Sequence, residues 1–226
     1  MPTCLITATN RGIGFELARA ALSDGWKVFG SVRSQDAARK SLEQLGEGYT
    51  PLVFDVTDRV TMAAVAQEMT DRLDLLINNA GVLSRERQSP LDMDFEVFLK
   101  TLEINTLAPL AVSQTFLPHL RKSDSAKILT ISSQMSWMGY RKSDALSYRV
   151  SKAAVNKVMQ GLSTELEPEG IPVALIDPGW VRTDMGGPGA DNDAAVVAKG
   201  ILNVASSLQL TDTGKFFKWS GEERPF

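Results

Sequence analysis

The sequence predicts an α/β fold with a doubly wound parallel sheet and helices on both faces. Short apolar runs of strand length recur along the chain and alternate with longer segments whose apolar residues repeat at helical spacing. Several of the short runs, such as LLIN and KILTIS, show no regular polar alternation, as expected of strands buried on both faces of a sheet. Together these two observations are typical of consecutive βαβ units.

The elements follow one another along the whole chain. Strands are predicted over Cys4–Thr7, Lys27–Val32, Pro51–Phe54, Leu73–Ile77, Lys127–Ser132, Pro172–Ile176 and Lys215–Trp219. Helices are predicted over Gly14–Ser23, Asp36–Leu45, Arg59–Asp71, a long region Asp92–Leu120, Ala145–Leu166 and Ala194–Ser206. Pro109 predicts a break or kink in the long region. Because no repeat or linker divides the chain, we expect residues 1–226 to form a single domain.

Composition excludes several classes of function. The 24 Lys and Arg against 27 Asp and Glu give a net charge of −3, which speaks against a broad surface for nucleic acid or anionic membrane. One cysteine, Cys4, and one histidine, His119, exclude an internal disulfide and a metal site built from several such residues. No run reaches the roughly 18 apolar residues of a membrane span, and the first residues lack the features of a signal peptide. We therefore expect a cytoplasmic protein without metal, membrane or nucleic-acid partners.

A glycine-containing turn lies between the first predicted strand and the first predicted helix. It reads Thr7-Ala8-Thr9-Asn10-Arg11-Gly12-Ile13-Gly14. A turn in this position directs backbone N–H groups and a helix N-terminus at a pyrophosphate, and glycine permits the close approach. Two glycines alone could form an ordinary structural turn. The position between strand and helix favours a dinucleotide-binding site.

Two arginines indicate which dinucleotide is expected. The second predicted strand ends at Val32 and is followed by Arg33, with no acidic residue to bind the ribose 2′-hydroxyl of NAD. Arg11 lies within the glycine turn. Two guanidinium groups can bind the dianionic 2′-phosphate of NADP, which an acidic residue would repel. Either arginine alone could be a solvated surface charge, but together they predict NADP(H).

Tyr148 and Lys152 form a Tyr-x-x-x-Lys pair on a strongly helical segment. A separation of four residues places both side chains on one face of a helix. Carbonyl reduction needs a proton donor that can also act as a base in reverse, and a neighbouring ammonium is expected to lower the pKa of a tyrosine from about 10. Because such pairs also occur by chance on protein surfaces, this one carries weight only together with the glycine turn.

The glycine turn and the tyrosine–lysine pair resemble the short-chain dehydrogenase/reductase family, and the resemblance covers nearly the whole chain. It implies a Rossmann fold, a small carbonyl or alcohol substrate, and a homodimer or homotetramer. The family's turn has the pattern Thr-Gly-x-x-x-Gly-x-Gly, so Ala8 replaces its first glycine. If this position requires a positive φ, an alanine there is strained.

The resemblance assigns the other reacting groups. Ser133 matches the serine whose hydroxyl polarises the substrate oxygen, with Ser136 as a weaker candidate. Asn105 matches the asparagine that anchors a water near the lysine, although alone it could be an ordinary helix residue. Tyr148 would exchange the proton, and Lys152 would also bind the nicotinamide ribose.

Further cofactor contacts implied by the resemblance lie at strand ends. They are Asp55 and Val56 after the third strand, Asn79, Ala80 and Gly81 after the fourth, and Pro178, Gly179, Val181 and Thr183 after the sixth. The segment Pro178–Gly187 is similar to carbonyl-reductase and C-factor-like members of the single-domain branch.

Substrate contacts are expected from loops at the carboxyl ends of the strands. These loops are Leu83–Leu91, Gln134–Ala145 and Trp180–Asp193. Their large apolar residues could form a wall of the pocket or pack locally. The residues are Trp137, Met138, Tyr140, Trp180 and Met185.

The sequence therefore favours an NADPH-dependent carbonyl reductase, or the reverse alcohol dehydrogenase, with Tyr148 as general acid and base. A dinucleotide-sensing or signalling protein with vestigial catalysis is the alternative, supported by Ala8 and the C-factor resemblance. A sugar-nucleotide epimerase or dehydratase is disfavoured, since 226 residues leave little room for a substrate domain.

Overall fold

A central eight-stranded sheet organises the chain, and the computed structural model describes residues 1–226. The strands are β1 (Thr3–Ile6), β2 (Lys27–Val32), β3 (Tyr49–Val53), β4 (Leu75–Asn78), β5 (Gln88–Ser89), β6 (Asp92–Met93), β7 (Lys127–Ile131), β8 (Val173–Asp177), β9 (Phe216–Lys218) and β10 (Glu223–Arg224). The short strands β5 and β6 form a separate antiparallel hairpin.

Seven α-helices accompany the strands. They are α1 (Gly12–Ser23), α2 (Gln35–Leu45), α3 (Arg59–Glu68), α4 (Phe95–Leu102), α5 (Ala108–Leu120), α6 (Leu146–Leu166) and α7 (Ala194–Ser207). None of them is both long and apolar enough to cross a lipid bilayer.

The order of strands in the large sheet is β10-β9-β8-β7-β4-β1-β2-β3. All neighbouring pairs are parallel except β9 with β10. The chain winds outward in one direction from β1 to β3 and in the other from β4 onward. A cleft is expected where the direction reverses, at the carboxyl ends of β1 and β4. The predicted doubly wound α/β fold is confirmed.

Two apolar layers cover the two faces of the sheet. Alternate residues of β1 point to opposite faces. Cys4 and Ile6 therefore join the layer beneath α1 and α7, whereas Leu5 joins the layer beneath α3, α5 and α6. Met62 and Phe116 are fully buried in the second layer. The single cysteine is thus a core residue, and its burial raises the pKa of its thiol.

The long helical region predicted over Asp92–Leu120 is interrupted, as Pro109 led us to expect. Helix α4 ends at Leu102, a π-helical turn spans Glu103–Leu107, and α5 starts at Ala108. Proline is tolerated at the start of α5 because the first residues of a helix have no intrahelical acceptor for their N–H groups.

Three short strands were missed by the sequence analysis. The hairpin β5–β6 occupies residues that include the predicted start of the long helix, and β10 adds an antiparallel edge to the sheet. Each of the three spans two residues, which is too short to show an alternating pattern.

Candidate active site

A cleft of about 440 Å³ lies at the carboxyl ends of β1, β4, β7 and β8. The glycine turn, the end of β7, the first turns of α6 and the segment after β8 form its walls. The predicted site residues that line the cleft are Arg11, Gly12, Ile13, Asn79, Gly81, Ser133, Tyr148, Lys152, Pro178, Gly179, Val181 and Thr183.

The N-terminus of α1 opens into this cleft. Its N-cap residue, Arg11, makes no side-chain hydrogen bond to the first turn, and that turn contains no acidic residue. By contrast, Ser34 caps α2 and Asp58 caps α3 through their side chains. The first N–H groups of α1 therefore remain free for an anion.

Close backbone packing shapes the turn that precedes α1. A Cβ atom at Gly14 would lie 2.2 Å from the carbonyl oxygen of Ala8 and 2.5 Å from Nδ2 of Asn79. Gly12 has a positive φ of 57°. Only glycine fits either position without strain or displacement. This compact turn with free N–H groups fits a dinucleotide pyrophosphate.

Ala8 adopts the conformation that the sequence analysis marked as unfavourable. Its φ is 59°, in the left-handed region that costs a residue with a Cβ about 1–2 kcal/mol. The conformation is held by hydrogen bonds on both sides: Ala8 N–H donates to Oγ of Ser31 at 3.0 Å, and Nδ2 of Asn79 donates to the Ala8 carbonyl at 3.4 Å. The turn thus keeps the glycine geometry without the glycine.

Thr7 and Asn79 connect the ends of β1 and β4. The Oγ1 atom of Thr7 accepts the backbone N–H groups of Asn79 at 2.8 Å and of Ala80 at 2.9 Å. In return, Nδ2 of Asn79 donates to the Thr7 carbonyl at 2.9 Å. Thr7 is buried and Ala80 does not line the cleft, so both hold the neighbouring loop in place.

The predicted adenosine end lies outside the lining of the cleft. Arg33 is exposed and makes no ion pair. Asp55 accepts the N–H of Thr57 at 2.9 Å. Burial raises the pKa of Asp55, but the Thr57 hydrogen bonds and the charges of Lys100 and Arg33 outweigh it and lower the pKa overall. Asn10, Gly14 and Val56 also lie outside the lining.

Arg11 is bound to a residue of the segment after β8. Its Nη1 atom lies 3.1 Å from Oδ2 of Asp184, and both side chains are largely exposed. Exposed ion pairs of this kind contribute about 0–1 kcal/mol. Arg11 is therefore free to exchange this partner for a phosphate.

Tyr148 and Lys152 lie one turn apart on α6, as predicted. The Nζ atom of Lys152 is 5.6 Å from the centre of the Tyr148 ring and donates to the Ile131 carbonyl at 2.7 Å. The ammonium is buried. Its carbonyl partner fixes it at the floor of the cleft, where β7 ends.

The acid–base properties of the pair differ from the sequence prediction. Burial raises the pKa of Tyr148 to about 12, an effect that the Ser133 hydroxyl opposes and the Asp177 carboxylate increases. Burial also lowers the pKa of Lys152 to about 8. The predicted lowering of the tyrosine pKa is therefore not found, because burial raises this pKa instead.

Ser133, and not Ser136, lies on the cleft. The Oγ atom of Ser133 accepts the N–H of Met135 at 3.1 Å at the start of a short 3₁₀ turn. Ser136 is buried behind it, where its Oγ donates to the Ser133 carbonyl at 2.7 Å and accepts Nδ2 of Asn156 at 3.0 Å. Ser136 therefore supports the loop, while Ser133 is available to a ligand.

Asn105 lies in the π-helical turn and is almost fully buried. Its carboxamide accepts the Val82 N–H at 2.8 Å, donates to the Val82 carbonyl at 2.8 Å and donates to Oγ of Ser151 at 3.0 Å. A Cβ atom at Gly81 would lie 3.4 Å from Oδ1 of Asn105 and 3.7 Å from Nζ of Lys152. The absent Gly81 side chain thus leaves space between these two polar groups.

A residue distant in the sequence, which no sequence pattern predicted, caps α6. The N-cap position is Ala145, whose φ is 48° and which has no capping side chain. Gln88, from the β5–β6 hairpin, fills this role: its Oε1 accepts the Ser147 N–H at 3.0 Å and also the Ser147 hydroxyl. No local pattern links Gln88 to α6.

The predicted apolar wall is only partly correct. Trp180 and Met185 line the cleft, whereas Trp137 and Tyr140 stack edge to face, 4.9 Å between ring centres, outside it. Met138 is also outside and exposed. Leu83, Arg85 and Asp144 also line the cleft and lie in two of the loops predicted to contact the substrate, whereas Arg149, on α6, was not predicted.

Comparison with known proteins identifies the family. A sequence model described as short chain dehydrogenase matches residues 2–193. The chain belongs to the short-chain dehydrogenase family. It is therefore an oxidoreductase of this family.

Individual relatives agree with this assignment. The chain is 40% identical to C-signal of Myxococcus xanthus over 158 residues, 70% of this chain and 95% of that protein. It resembles NADPH-bound carbonyl reductase from chicken fatty liver at 30% identity with a TM-score of 0.91, covering 100% of this chain and 99% of the other. It resembles carbonyl reductase Sniffer of Drosophila melanogaster at 27% identity with a TM-score of 0.93, covering 100% of both chains.

Proposed function

We propose that this short-chain dehydrogenase transfers hydride between NADP(H) and a carbonyl or secondary alcohol substrate, with Tyr148 as general acid and base. One observation supports the proposal above all others. Tyr148, Lys152 and Ser133 line the same cleft as the free N-terminus of α1, so proton-exchanging groups and a dinucleotide site share one space.

Tyr148 is the proton donor in this proposal. Its raised pKa of about 12 keeps the phenol protonated throughout the neutral range, which suits carbonyl reduction. Alcohol oxidation needs the phenolate, so its rate is expected to rise with pH over the same range. The nicotinamide cofactor, when bound, supplies or accepts the hydride.

The neighbouring residues orient the reactants. The Ser133 hydroxyl is available to donate a hydrogen bond to the substrate oxygen. Lys152 is about nine-tenths protonated at pH 7, given its pKa of about 8, and in this proposal its ammonium group binds the nicotinamide ribose. Asn105 holds the Val82 loop in place through both groups of its carboxamide. Its Oδ1 keeps a second lone pair, which in this proposal accepts a water.

NADP(H) is proposed as the cofactor on the basis of charge. Arg33, at the end of β2, has no ion-pair partner, and Arg11 has only an exposed one. Both guanidinium groups are therefore available to the 2′-phosphate. The chicken carbonyl reductase that resembles this chain binds NADPH, which supports the same choice.

A sensing or signalling protein with vestigial catalysis is the alternative. The strained Ala8 and the similarity to a protein named C-signal favour it. The intact set of Asn105, Ser133, Tyr148 and Lys152 favours an enzyme, because a sensor needs no proton-transfer groups. A cytoplasmic location and a homodimer or homotetramer also stay predictions.

A substrate screen tests the proposal. We expect the protein to oxidise NADPH in the presence of at least one member of a panel of aldehydes and ketones, and to use NADH at least about tenfold less efficiently. Arg33→Asp should remove this preference, because the carboxylate repels the 2′-phosphate. Arg39→Asp, at an exposed site on α2, serves as the matched control. No turnover with any carbonyl, together with tight NADPH binding, would favour the sensor.

A further inference from the structure

The carboxylate of Asp177 joins two loops of the cleft. Asp177 ends β8 and is 2% exposed. Its Oδ1 accepts the backbone N–H of Gln134, next to Ser133, and the N–H of Gly179, each at 3.0 Å. Gln134 and Gly179 both line the cleft. One buried oxygen therefore sets the separation of the loop that carries the catalytic serine and the loop predicted to meet the nicotinamide.

The second oxygen of Asp177 binds a residue from the far end of the chain. Arg224, in β10, places Nη1 at 2.5 Å from Oδ2 of Asp177, and the two side chains are 15% and 3% exposed. Strand β10 reaches this position by pairing with β9, where Arg224 lies opposite Phe216. The backbone is tied in as well, since Trp219 N–H donates to the Asp177 carbonyl at 2.8 Å.

This ion pair differs from the others at the same edge of the sheet. Lys218 pairs with Glu222, and Lys215 pairs with Glu223 and Asp212; these carboxylates are 65%, 60% and 27% exposed, against 3% for Asp177. Exposed pairs contribute little to stability. A buried carboxylate that loses its only cation is an uncompensated charge, which is strongly destabilising.

We propose that Arg224 is a positioning residue of the active site: by neutralising Asp177, it keeps the Ser133 loop and the Gly179 loop at the spacing that the reaction requires. The effect on the reaction rests on the proposed function, whereas the effect on the loops does not. Arg224 touches neither substrate nor cofactor in this proposal and acts only through Asp177.

The same pair influences the acid–base group of the cleft. The Asp177 carboxylate raises the pKa of Tyr148, and Arg224 is the cation that compensates it. The other charged residues that line the cleft with Tyr148 are Arg11, Arg85, Asp144, Arg149, Lys152 and Asp184. Removal of Arg224 alone therefore exposes Tyr148 to an unbalanced negative charge.

Four variants distinguish the proposed positioning of the two loops by Arg224 from simple packing of β10 against the edge of the sheet. Arg224→Met removes the charge at similar length, and Arg224→Lys retains it. Asp177→Asn keeps the oxygen that accepts both N–H groups but removes the negative charge. The double variant Asp177→Asn with Arg224→Met removes both charges of the buried pair. Lys218→Met is the matched control, because it removes an exposed ion pair from the same edge of the sheet.

The first readout is amide hydrogen exchange in the full-length protein and needs no substrate. In Arg224→Met, the Gln134 and Gly179 amides should exchange at least about tenfold faster, whereas the double variant and Lys218→Met should remain near wild type. Equal exchange in Arg224→Met and wild type would overturn the proposal. So would a double variant as fast as Arg224→Met, because β10 would then only cover the sheet edge.

The second readout is the pH profile of alcohol oxidation. The rising limb should move to higher pH by about half a unit or more in Arg224→Met, move to lower pH in Asp177→Asn, and stay near wild type in Arg224→Lys and Lys218→Met. Identical limbs in all variants would overturn the electrostatic part of the proposal. If the wild type turned over no substrate, the proposed function would fail while the exchange measurement still tested Arg224.

Discussion

Helices α1 and α6 border the same cleft, and both begin without a capping side chain of their own, yet their N-termini differ. The first turn of α1, after Arg11, has no side-chain partner. The first turn of α6, after Ala145, is bound by Gln88 from a distant hairpin. An open N-terminus is a site for an anion, whereas a capped one holds its helix in position.

The difference matches what each helix contributes to the proposed function. Helix α1 contributes backbone N–H groups, which must stay free to bind phosphate. Helix α6 contributes the side chains of Tyr148 and Lys152, which must stay in place during proton transfer. Tyr148 follows directly after Ser147, the residue that Gln88 binds, so a fixed first turn also fixes the reacting phenol.

The largest effect is expected from a substitution that obstructs the free N-terminus of α1. Gly14→Ala places a Cβ atom 2.2 Å from the Ala8 carbonyl, so the turn must shift and NADPH affinity should fall by about 100-fold or more. Fluorescence titration with NADPH measures this. Gly161→Ala is the control, because a Cβ there meets nothing within 4 Å. An unchanged dissociation constant for Gly14→Ala would show that the cofactor does not use this turn.

The next largest effect is expected from removing the Gln88 side chain that caps α6. Gln88→Leu leaves the Ser147 N–H without an acceptor and should cost about 1–2 kcal/mol of unfolding free energy. Because Tyr148 would then be held less firmly, kcat should fall about tenfold while NADPH affinity stays constant. Ser89→Ala, at the exposed neighbouring position, should change neither value. A loss of NADPH affinity as large as the loss in kcat would contradict the separate roles of the two helices.

The glycine turn before α1 and the Tyr148–Lys152 pair on α6 were predictable from the sequence, whereas the capping of α6 by Gln88 was not. The glycine turn, Tyr148 and Lys152 are local patterns, and their positions relative to the strands follow from the order of the elements. Gln88 lies 59 residues from Ser147, and Arg224 lies 47 residues from Asp177. No periodicity or characteristic spacing in the sequence predicts either contact, because each forms only when a two-residue strand packs against the rest of the protein.

The sequence alone could not decide whether the backbone at Ala8 is strained. The sequence shows that Ala8 replaces a glycine, but only the structure gives its positive φ of 59°. In the same way, burial decides the pKa values of Tyr148 and Lys152, and burial at the end of a helix depends on the loops that cover it. The Tyr-x-x-x-Lys spacing predicted a lowered pKa for Tyr148, and this prediction was wrong because burial raises that pKa.

The smallest effect is expected from relieving strain next to α1. Ala8→Gly should raise the free energy of unfolding by about 0.5–1 kcal/mol, because glycine adopts a positive φ without the steric cost. Urea denaturation measures the change. Ala64→Gly, at an exposed position within α3, should lower the free energy of unfolding instead. If Ala8→Gly destabilised the protein as much as Ala64→Gly, the turn would not be strained.

The Tyr148→Phe variant tests the proposed mechanism most directly. With NADPH and a carbonyl substrate found in the screen, Tyr148→Phe should reduce kcat by at least about 100-fold while the dissociation constant of NADPH changes less than about twofold. Tyr140→Phe, in a loop outside the cleft, should keep full activity. If Tyr148→Phe retained the wild-type kcat, Tyr148 would not be the proton donor and the proposed mechanism would be wrong.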